Sequence, residues 1–333
     1  MKRKKYQKKL SELMAIIKKA DSIALITHKN PDGDAIGSTL ALKIYLEKIG
    51  KRVAVFYTGK MDTHLRFLPK FRSEYFKKEN FLNDAYLKNK DYDLFIVADA
   101  PELKRTGLFS LKEESALREK LVFIDHHVNL VEEKCLLEIA SCKKAATCQI
   151  IYDFFEFHKI NFGENIATCL LTGLFTDTGG FLHANTTSNI MQIASNLMRK
   201  GASLSKIAKK TFSNRKVNAL KIWGRALERA KLNKSNKIAF SYVTEKDLAE
   251  CGASLEDLSG VTNILGAAED STYSLLLTEL GRDKIKGSLR SEEYKHCDVS
   301  QIAKLFGGGG HKLASGFELK GKIINKTGRP AVA

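Results

Sequence analysis

Apolar and polar positions alternate in blocks along the first half of the chain. SIALITH (22–28), RVAVFYT (52–58), DLFIVAD (93–99) and LVFIDHH (121–127) are short apolar runs that end in polar or charged residues. Runs of this length, apolar on both alternating faces, predict strands buried on two sides. DAIGSTLALKIYLEKIG (34–50) has helical spacing and closes on Gly50, and further helical patterns fall at 144–158, 164–175, 188–200 and 203–211. Strands separated by helices predict a parallel sheet with helices on both faces. The second half reads differently. A basic helical stretch at 215–231 precedes KIAFSYV (237–243), a helical segment at 257–269, STYSLLLTEL (271–280), KIKGSLRS (284–291), a short helix at 298–306 and the loop GGGGHKLASGF (307–317). Its strand candidates alternate or carry polar residues, as in a half-exposed mixed sheet. The predicted class is α/β: a larger parallel-sheet domain over 1–190, a helical linker over 191–215 and a smaller mixed-sheet domain over 216–333.

Composition narrows this picture only in part. With 333 residues, 44% hydrophobic and 28% charged, the chain suits two soluble domains. No apolar run reaches the ~18 residues needed to cross a bilayer, so no membrane association is expected. The basic start MKRKKYQKKL is followed by SELMAIIKKADS, which Glu12, Lys18 and Lys19 interrupt, so export is not expected. The six cysteines form no CxxC pair, which fits reduced thiols in a cytoplasmic protein. Lys plus Arg exceed Asp plus Glu, 55 against 38, for a net charge of +17. That excess attracts nucleic acids, nucleotides and phosphates, and a lysine-rich composition explains it equally well.

Three predicted strands end in metal-ligating residues. The first ends at His28 and runs into KNPDGDA with Asp32 and Asp34; the third ends at Asp99; the fourth ends at Asp125, His126 and His127. Asp177 follows the apolar helix ATCLLTGLF in the turn TDTGG. Ligands gather outside the carboxyl ends of the strands in an open parallel sheet, so these side chains are expected to meet there. Singly, each has an ordinary explanation: Asp32 and Asp34, beside Pro31 and Gly33, read as capping or turn residues, and a lone histidine as structural. As a set they do not, because converging carboxylates repel one another unless a cation is present. Carboxylates and imidazoles without thiolates favour Mn²⁺, with Mg²⁺, Fe²⁺, Co²⁺ or Zn²⁺ compatible. So many carboxylates point to two divalent ions, a pair that clamps a phosphoryl centre and activates water for in-line attack on a phosphate ester.

The glycine run supplies a second signal. Gly307, Gly308, Gly309 and Gly310 expose backbone N–H groups, and His311 follows them. Arg290 in KIKGSLRS and Arg105 in KRTG are candidate phosphate clamps, although each alone reads as a solvated arginine. His64, His158 and His296 have no partners at ligand spacing and read as structural.

HKNPDGDAIGS (28–38), VADAPELKRTG (97–107), IDHHV (124–128), TDTGGF (176–181) and GGGGHKLASGF (307–317), in this order and spacing, resemble the DHH phosphoesterase superfamily. The last piece resembles the DHHA1 substrate domain, and the whole is most similar to the short two-domain nanoRNase class. The resemblance implies that His28 and Asp32 hold one Mn²⁺, that Asp34, His126 and Asp177 hold a second, and that Asp99 bridges both. It implies that Asp125 orients the adjacent histidine and that His127 contacts the scissile phosphate and protonates the leaving oxygen. The glycine run, His311 and Arg290 resemble the face that grips one end of a substrate. The substrates it implies are RNA or DNA oligonucleotides of a few residues, linear dinucleotides and 3′-phosphoadenosine 5′-phosphate, with nucleoside 5′-monophosphates as products. It makes 1–190 the catalytic domain and 216–333 the substrate-binding domain. Relatives carry a basic residue after the fourth acidic motif; here the segment is FLHANTT, with Leu182 and His183, a departure that bears on substrate preference.

Alternatives within the same chemistry are a manganese inorganic pyrophosphatase, a longer single-strand exonuclease and a cyclic-dinucleotide phosphodiesterase. A basic nucleic-acid-binding module without catalysis rests on the charge alone. A homodimer is compatible with the chain but not specified by it.

Overall fold

Four of the apolar runs form strands of the first sheet: β1 (Ser22–Ile26), β2 (Arg52–Phe56), β3 (Leu94–Ala98) and β4 (Leu121–Asp125). A fifth strand, β5 (Leu137–Ala140), is too short to stand out in the sequence and takes the free edge of β4. All pairings are parallel, in the order β2-β1-β3-β4-β5. The computed structural model describes residues 2–59, 61–71, 92–106, 118–127, 135–213, 216–326 and 329–332. The chain divides into two units between Ser213 and Asn214. Gly107 and Val128 of the quoted motifs, and Asn214 and Arg215 of the expected linker, lie outside the described residues.

The continuous apolar character of the strands follows from two cores. Ile23, Leu25, Ile96, Val122 and Ile124 face one core, and Ala24, Ile26, Phe95, Val97, Leu121 and Phe123 face the other. Residues next to each other on a strand point to opposite faces, so a strand covered on both sides must be apolar at every position. The first core is closed by α1 (Lys2–Lys19), α2 (Gly33–Lys48), α3 (Thr147–Phe157), α4 (Glu164–Asp177) and α5 (Ser188–Arg199). Helix α1 is masked in the sequence by its lysines. Leu10, Leu13 and Ile17 nevertheless recur at helical spacing and are buried, and Tyr6 donates a hydrogen bond to Asp153 at 2.9 Å. The 203–211 pattern forms only one α-helical stretch, Leu204–Ala208, before a wider turn over Lys209–Ser213.

Helices α2 and α4 pack closely because glycines stand at their contact. A methyl group on Gly37 would lie 2.5 Å from the Cys169 carbonyl oxygen, and one on Gly173 would lie 2.7 Å from Asp34 Oδ1. Both positions therefore exclude a side chain.

The second unit begins with α6 (Val217–Glu228) and a mixed sheet. Its strands are β6 (Lys231–Asn233), β7 (Ile238–Val243), β8 (Tyr273–Gly281), β9 (Lys284–Arg290), β10 (Gly309–His311) and β11 (Ala314–Lys320), in the order β10-β11-β9-β8-β7-β6. β7 and β8 run parallel and the other pairs antiparallel. Burial alternates along β7, β8 and β9, which accounts for their mixed polarity. Helix α7 is Glu245–Cys251. The expected helix at 257–269 is interrupted: a tight turn at Leu255–Leu258 is followed by Gly260 at φ 94° and then by α8 (Val261–Gly266). Helix α9 (Val299–Leu305) starts at Asp298, whose side chain caps it. The expected glycine loop is a hairpin, because Gly309–His311 pairs with Ala314–Gly316. A further pair, β12 (Ile323–Lys326) with β13 (Arg329–Val332), ends the described chain.

Asp247 anchors this unit. It accepts hydrogen bonds from the Thr244 N–H and hydroxyl at 2.9 and 2.7 Å and from Arg229 Nη2 at 2.8 Å. Burial acts to raise its pKa, but Arg229 and Thr244 outweigh burial and bring it down to about 2. A depressed carboxyl pKa stabilises the fold fully above the ordinary value near ~3.9, and the contribution is lost as pH falls through the folded value. Asp247→Asn is therefore expected to cost about 1–3 kcal/mol in denaturant unfolding of the full chain at neutral pH. The gap to wild type should narrow between about pH 4 and pH 2. A gap that stays constant across that interval contradicts the assignment.

Candidate metal centre

β1 and β3 are neighbours, yet the chain leaves β1 towards β2 on the opposite side. Where strand order reverses in this way, the connections diverge and open a crevice at the carboxyl edge of the sheet. His28, just beyond β1, and Asp99, the residue after β3, stand at that reversal. The predicted ligands converge here.

His28 Nδ1 donates to the Lys29 carbonyl at 2.9 Å, which turns Nε2 towards the acidic residues. Nε2 lies 3.9 Å from Asp32 Oδ1 and 3.7 Å from Asp99 Oδ2. Asp32 is also the N-cap of α2, its Oδ1 accepting from the Asp34 and Ala35 N–H groups at 3.0 and 3.1 Å. Capping and a place in the cluster are both realised by the same carboxylate. Asp34, fully buried in the first turn of α2, accepts from the Thr147 and Cys148 N–H groups at 2.6 and 2.9 Å. Asp99 is 2% exposed and sits at φ 59°, in the left-handed region that non-glycine residues avoid. Its Oδ1 accepts from the Thr147 hydroxyl at 3.0 Å.

His126 Nε2 stands 3.2 Å from Asp177 Oδ2, 3.5 Å from Asp99 Oδ1 and 3.9 Å from Asp34 Oδ2. Asp177 is the last residue of α4 and not part of the turn beyond it, and its carbonyl accepts from Asn185 Nδ2 at 3.2 Å. His127 is held by Asp125, which accepts from its N–H at 3.1 Å and from Nδ1 at 2.7 Å. This fixes the ring with Nε2 directed away from Asp125. Among the described residues, three groups have ligand atoms within 4.8 Å of one another: His28, Asp32 and Asp99; Asp34, His126 and Asp177; and Asp99, His126 and His127. Oxygen and imidazole nitrogen without thiolate suit a hard or borderline divalent cation, so the residues fit such an ion.

The electrostatics are those of a site made for positive charge. Burial, followed by Asp99 and Asp32, pushes the Asp34 pKa well above the carboxylate range. Asp177 is raised in the same way, by burial and then by Asp34, Asp32 and Asp99. Burial also acts upward on Asp99, but His28 and then His126 and His127 outweigh it and hold its pKa below that range. Burial acts downward on His28, yet Asp32 and Asp99 prevail and raise its pKa to about 11. His126 is lowered, with burial the largest cause. His127 is raised, because its Asp125 partner outweighs burial. Protons and histidines here share a task that divalent cations perform more fully.

The expected substrate contacts divide between the two units. Arg105 is exposed beside Glu102 in the first unit, and its backbone carbonyl accepts from the Lys29 N–H at 2.7 Å. Arg290, Gly308, Gly309, Gly310 and His311 belong to the second unit. Strand pairing sets His311 opposite Ala314 and Ala314 opposite Arg290, so the two sequence-distant residues occupy one row of the sheet. Only the backbone of His311 is described. Arg290 donates through Nε to Asn263 Oδ1 at 3.1 Å, and burial pulls its pKa below the usual guanidinium value. Two glycines have structural reasons: a methyl on Gly308 would lie 2.2 Å from the Gly316 carbonyl, and Gly310 sits at φ 142° with the Ala314 carbonyl 2.6 Å from such a methyl. Gly309 faces open space. His158 is structural, within 3.0 Å of the Leu10 carbonyl. Thr147 and Cys148, which contact the acidic cluster, escaped the sequence reading because ATCQII looks like the start of an ordinary helix.

The model for the DHH family, N-terminal domain, matches residues 22–174, and that for the DHHA1 domain matches residues 235–327. A bifunctional oligoribonuclease and PAP phosphatase NrnA of Thermus thermophilus is 29% identical over 323 residues, covering 97% of this chain and 92% of its own. The protein of the same name from Bacillus subtilis is 26% identical over 312 residues, covering 93% of each chain. The crystal structure of an exopolyphosphatase-related protein from Bacteroides fragilis superimposes with a TM-score of 0.83 at 27% identity, covering 95% of this chain and 92% of that one. With the acidic and imidazole rim at the sheet reversal and a domain match on either side of Ser213, the chain belongs to the DHH phosphoesterase family, a DHH N-terminal domain followed by a DHHA1 domain.

Proposed function

We propose that the chain is a Mn²⁺-dependent phosphoesterase that cleaves short oligonucleotides and linear dinucleotides to nucleoside 5′-monophosphates and converts 3′-phosphoadenosine 5′-phosphate to AMP. The observation that carries the reading is the convergence of His28, Asp32, Asp34, Asp99, His126 and Asp177 into groups that share Asp99 or His126. Relatives spanning nearly the whole chain and named for oligoribonuclease and PAP phosphatase activity support the substrate class. His28, Asp32 and Asp99 would hold one cation, and Asp34, His126 and Asp177 the other, with Asp99 shared. Bound at this rim, the cations supply the positive charge that activates water and neutralises the phosphoryl oxygens.

The remaining work falls to the chain. Asp125 keeps His127 in one orientation and favours its protonated form, so His127 can give a proton to the leaving oxygen. Arg290, the Gly308–Gly310 segment and His311 would bind a terminal phosphate of the substrate, although the Gly308 N–H itself donates to the Ala303 carbonyl at 2.9 Å, and Arg105 would bind phosphate near the rim. We assign catalysis to residues 1–190, a linker to 191–215 and substrate binding to 216–333. The six cysteines form no CxxC pair, and we place the protein in the cytoplasm.

The dinucleotide pApA is expected to be hydrolysed to AMP with Mn²⁺ and not after chelation. Asp99→Ala and His126→Ala should each lower the rate at least about 100-fold in folded protein. Absence of metal-dependent turnover, or pyrophosphate hydrolysis far faster than pApA hydrolysis, overturns the assignment. Cation binding also has a predicted sign with pH. Asp34 and Asp177, raised when no cation is present, must lose protons to serve as ligands, and so must His28. Mn²⁺ uptake should release protons and weaken as pH falls from about 8 to about 6. Titration calorimetry in two buffers of different ionisation enthalpy measures this; a pH-independent affinity with no proton release contradicts it.

A further inference from the structure

Helix α3 has an unusual beginning. Its N-cap, Ala146, has no side chain to satisfy the first N–H groups. The cap comes instead from a residue 113 positions earlier: Asp34 accepts from the Thr147 N–H at 2.6 Å and from the Cys148 N–H at 2.9 Å. Thr147 then does something a cap does not require. Its hydroxyl donates to Asp99 Oδ1 at 3.0 Å. Facing a carboxylate, the hydroxyl must be the donor. Thr147 is fully buried, so water does not compete for either bond. One residue therefore touches a carboxylate from each of the two proposed cation groups, through its backbone to Asp34 and through its side chain to Asp99.

We infer that Thr147 is a positioning residue of the metal centre, setting the Asp99 carboxylate relative to Asp34; this rests on the cation assignment proposed above. Asp99 needs such a partner. Its backbone is held at φ 59°, a conformation that persists only where its surroundings fix it. Its Oδ1 must also be shared among His126 at 3.5 Å, His127 at 3.7 Å and a cation. A single donor on Oδ1 fixes the rotation of the carboxylate and leaves its remaining lone pairs for metal ions. Hydrogen bonds of this outer kind typically govern metal affinity by about 10–100-fold. The Asp34 contacts are made by backbone and survive any side-chain change at 147, so the hydroxyl can be tested by itself.

Thr147→Val keeps the branched shape and removes the donor, and Thr147→Ser keeps the donor and removes a methyl. Mn²⁺ alone is titrated into the metal-free full chain, with free Mn²⁺ followed by electron paramagnetic resonance and metal-free melting measured alongside. Thr147→Val is expected to bind at least one Mn²⁺ about 10–100-fold more weakly than wild type, and Thr147→Ser to stay within about threefold. Thr147→Ala, expected to behave as Thr147→Val, provides the same comparison if the valine variant does not fold. Wild-type Mn²⁺ affinity in folded Thr147→Val or Thr147→Ala, with any change confined to melting, overturns the inference and leaves the phosphoesterase reading standing. Equal weakening in Thr147→Ser also overturns it. A wild-type chain that binds no Mn²⁺ removes the underlying reading, and this inference with it.

Discussion

The first unit is organised around carboxylates that have no business being together. Asp34, Asp99 and Asp125 are each at most 2% exposed, and Asp32 and Asp177 complete the same rim. Like charges at this spacing favour protonation of some members, which is what raises Asp34 and Asp177. Histidines relieve only part of the repulsion, since His126 is itself driven towards neutrality by burial. Divalent cations supply more charge in less volume than protonated imidazoles, and they leave every carboxylate ionised. The fold thus stores its function as an electrostatic imbalance.

Topology makes that imbalance possible without breaking the core. The candidate ligands lie at or just past the ends of β1, β3 and β4, or on the facing ends of α2 and α4. The interior of the sheet stays apolar on both faces. Carboxylates and imidazoles are concentrated where strand order reverses and the connecting segments part. Gly173 shows how tightly the two regions are fitted, since a methyl group there would lie 2.3 Å from Cys148 Sγ and 2.7 Å from Asp34 Oδ1. Substituting it would press on a proposed ligand and on the α2–α4 contact at once.

The sequence is informative where periodicity and chemistry coincide. Short continuous apolar runs gave β1 to β4, and metal-type residues at the ends of three of them gave the rim. Features set by distant contacts were not legible. β5 has four residues and forms by pairing with β4, and α1 shows its buried stripe only once its lysines are known to point outward. The glycine run read as a phosphate loop. Two of its members, Gly308 and Gly310, are also demanded by the hairpin with β11, which local composition does not encode. Thr147 was invisible for a related reason: its partners lie 113 and 48 residues away.

The double duty of Asp32 shows why single-residue explanations mislead at such a site. A helix needs an acceptor at its start; Asp32 supplies it and also stands in the acidic group, because α2 begins at the rim. Asp34 repeats the pattern, completing the start of α3 while belonging to the acidic group. Two helix N-termini thus point their positive ends at carboxylates that also face the proposed cations. Those N–H groups hold the carboxylates through backbone that cannot rotate away. Orientation of the ligands is then inherited from secondary structure, and side chains such as Thr147 and Asp125 are left to adjust the last degrees of freedom.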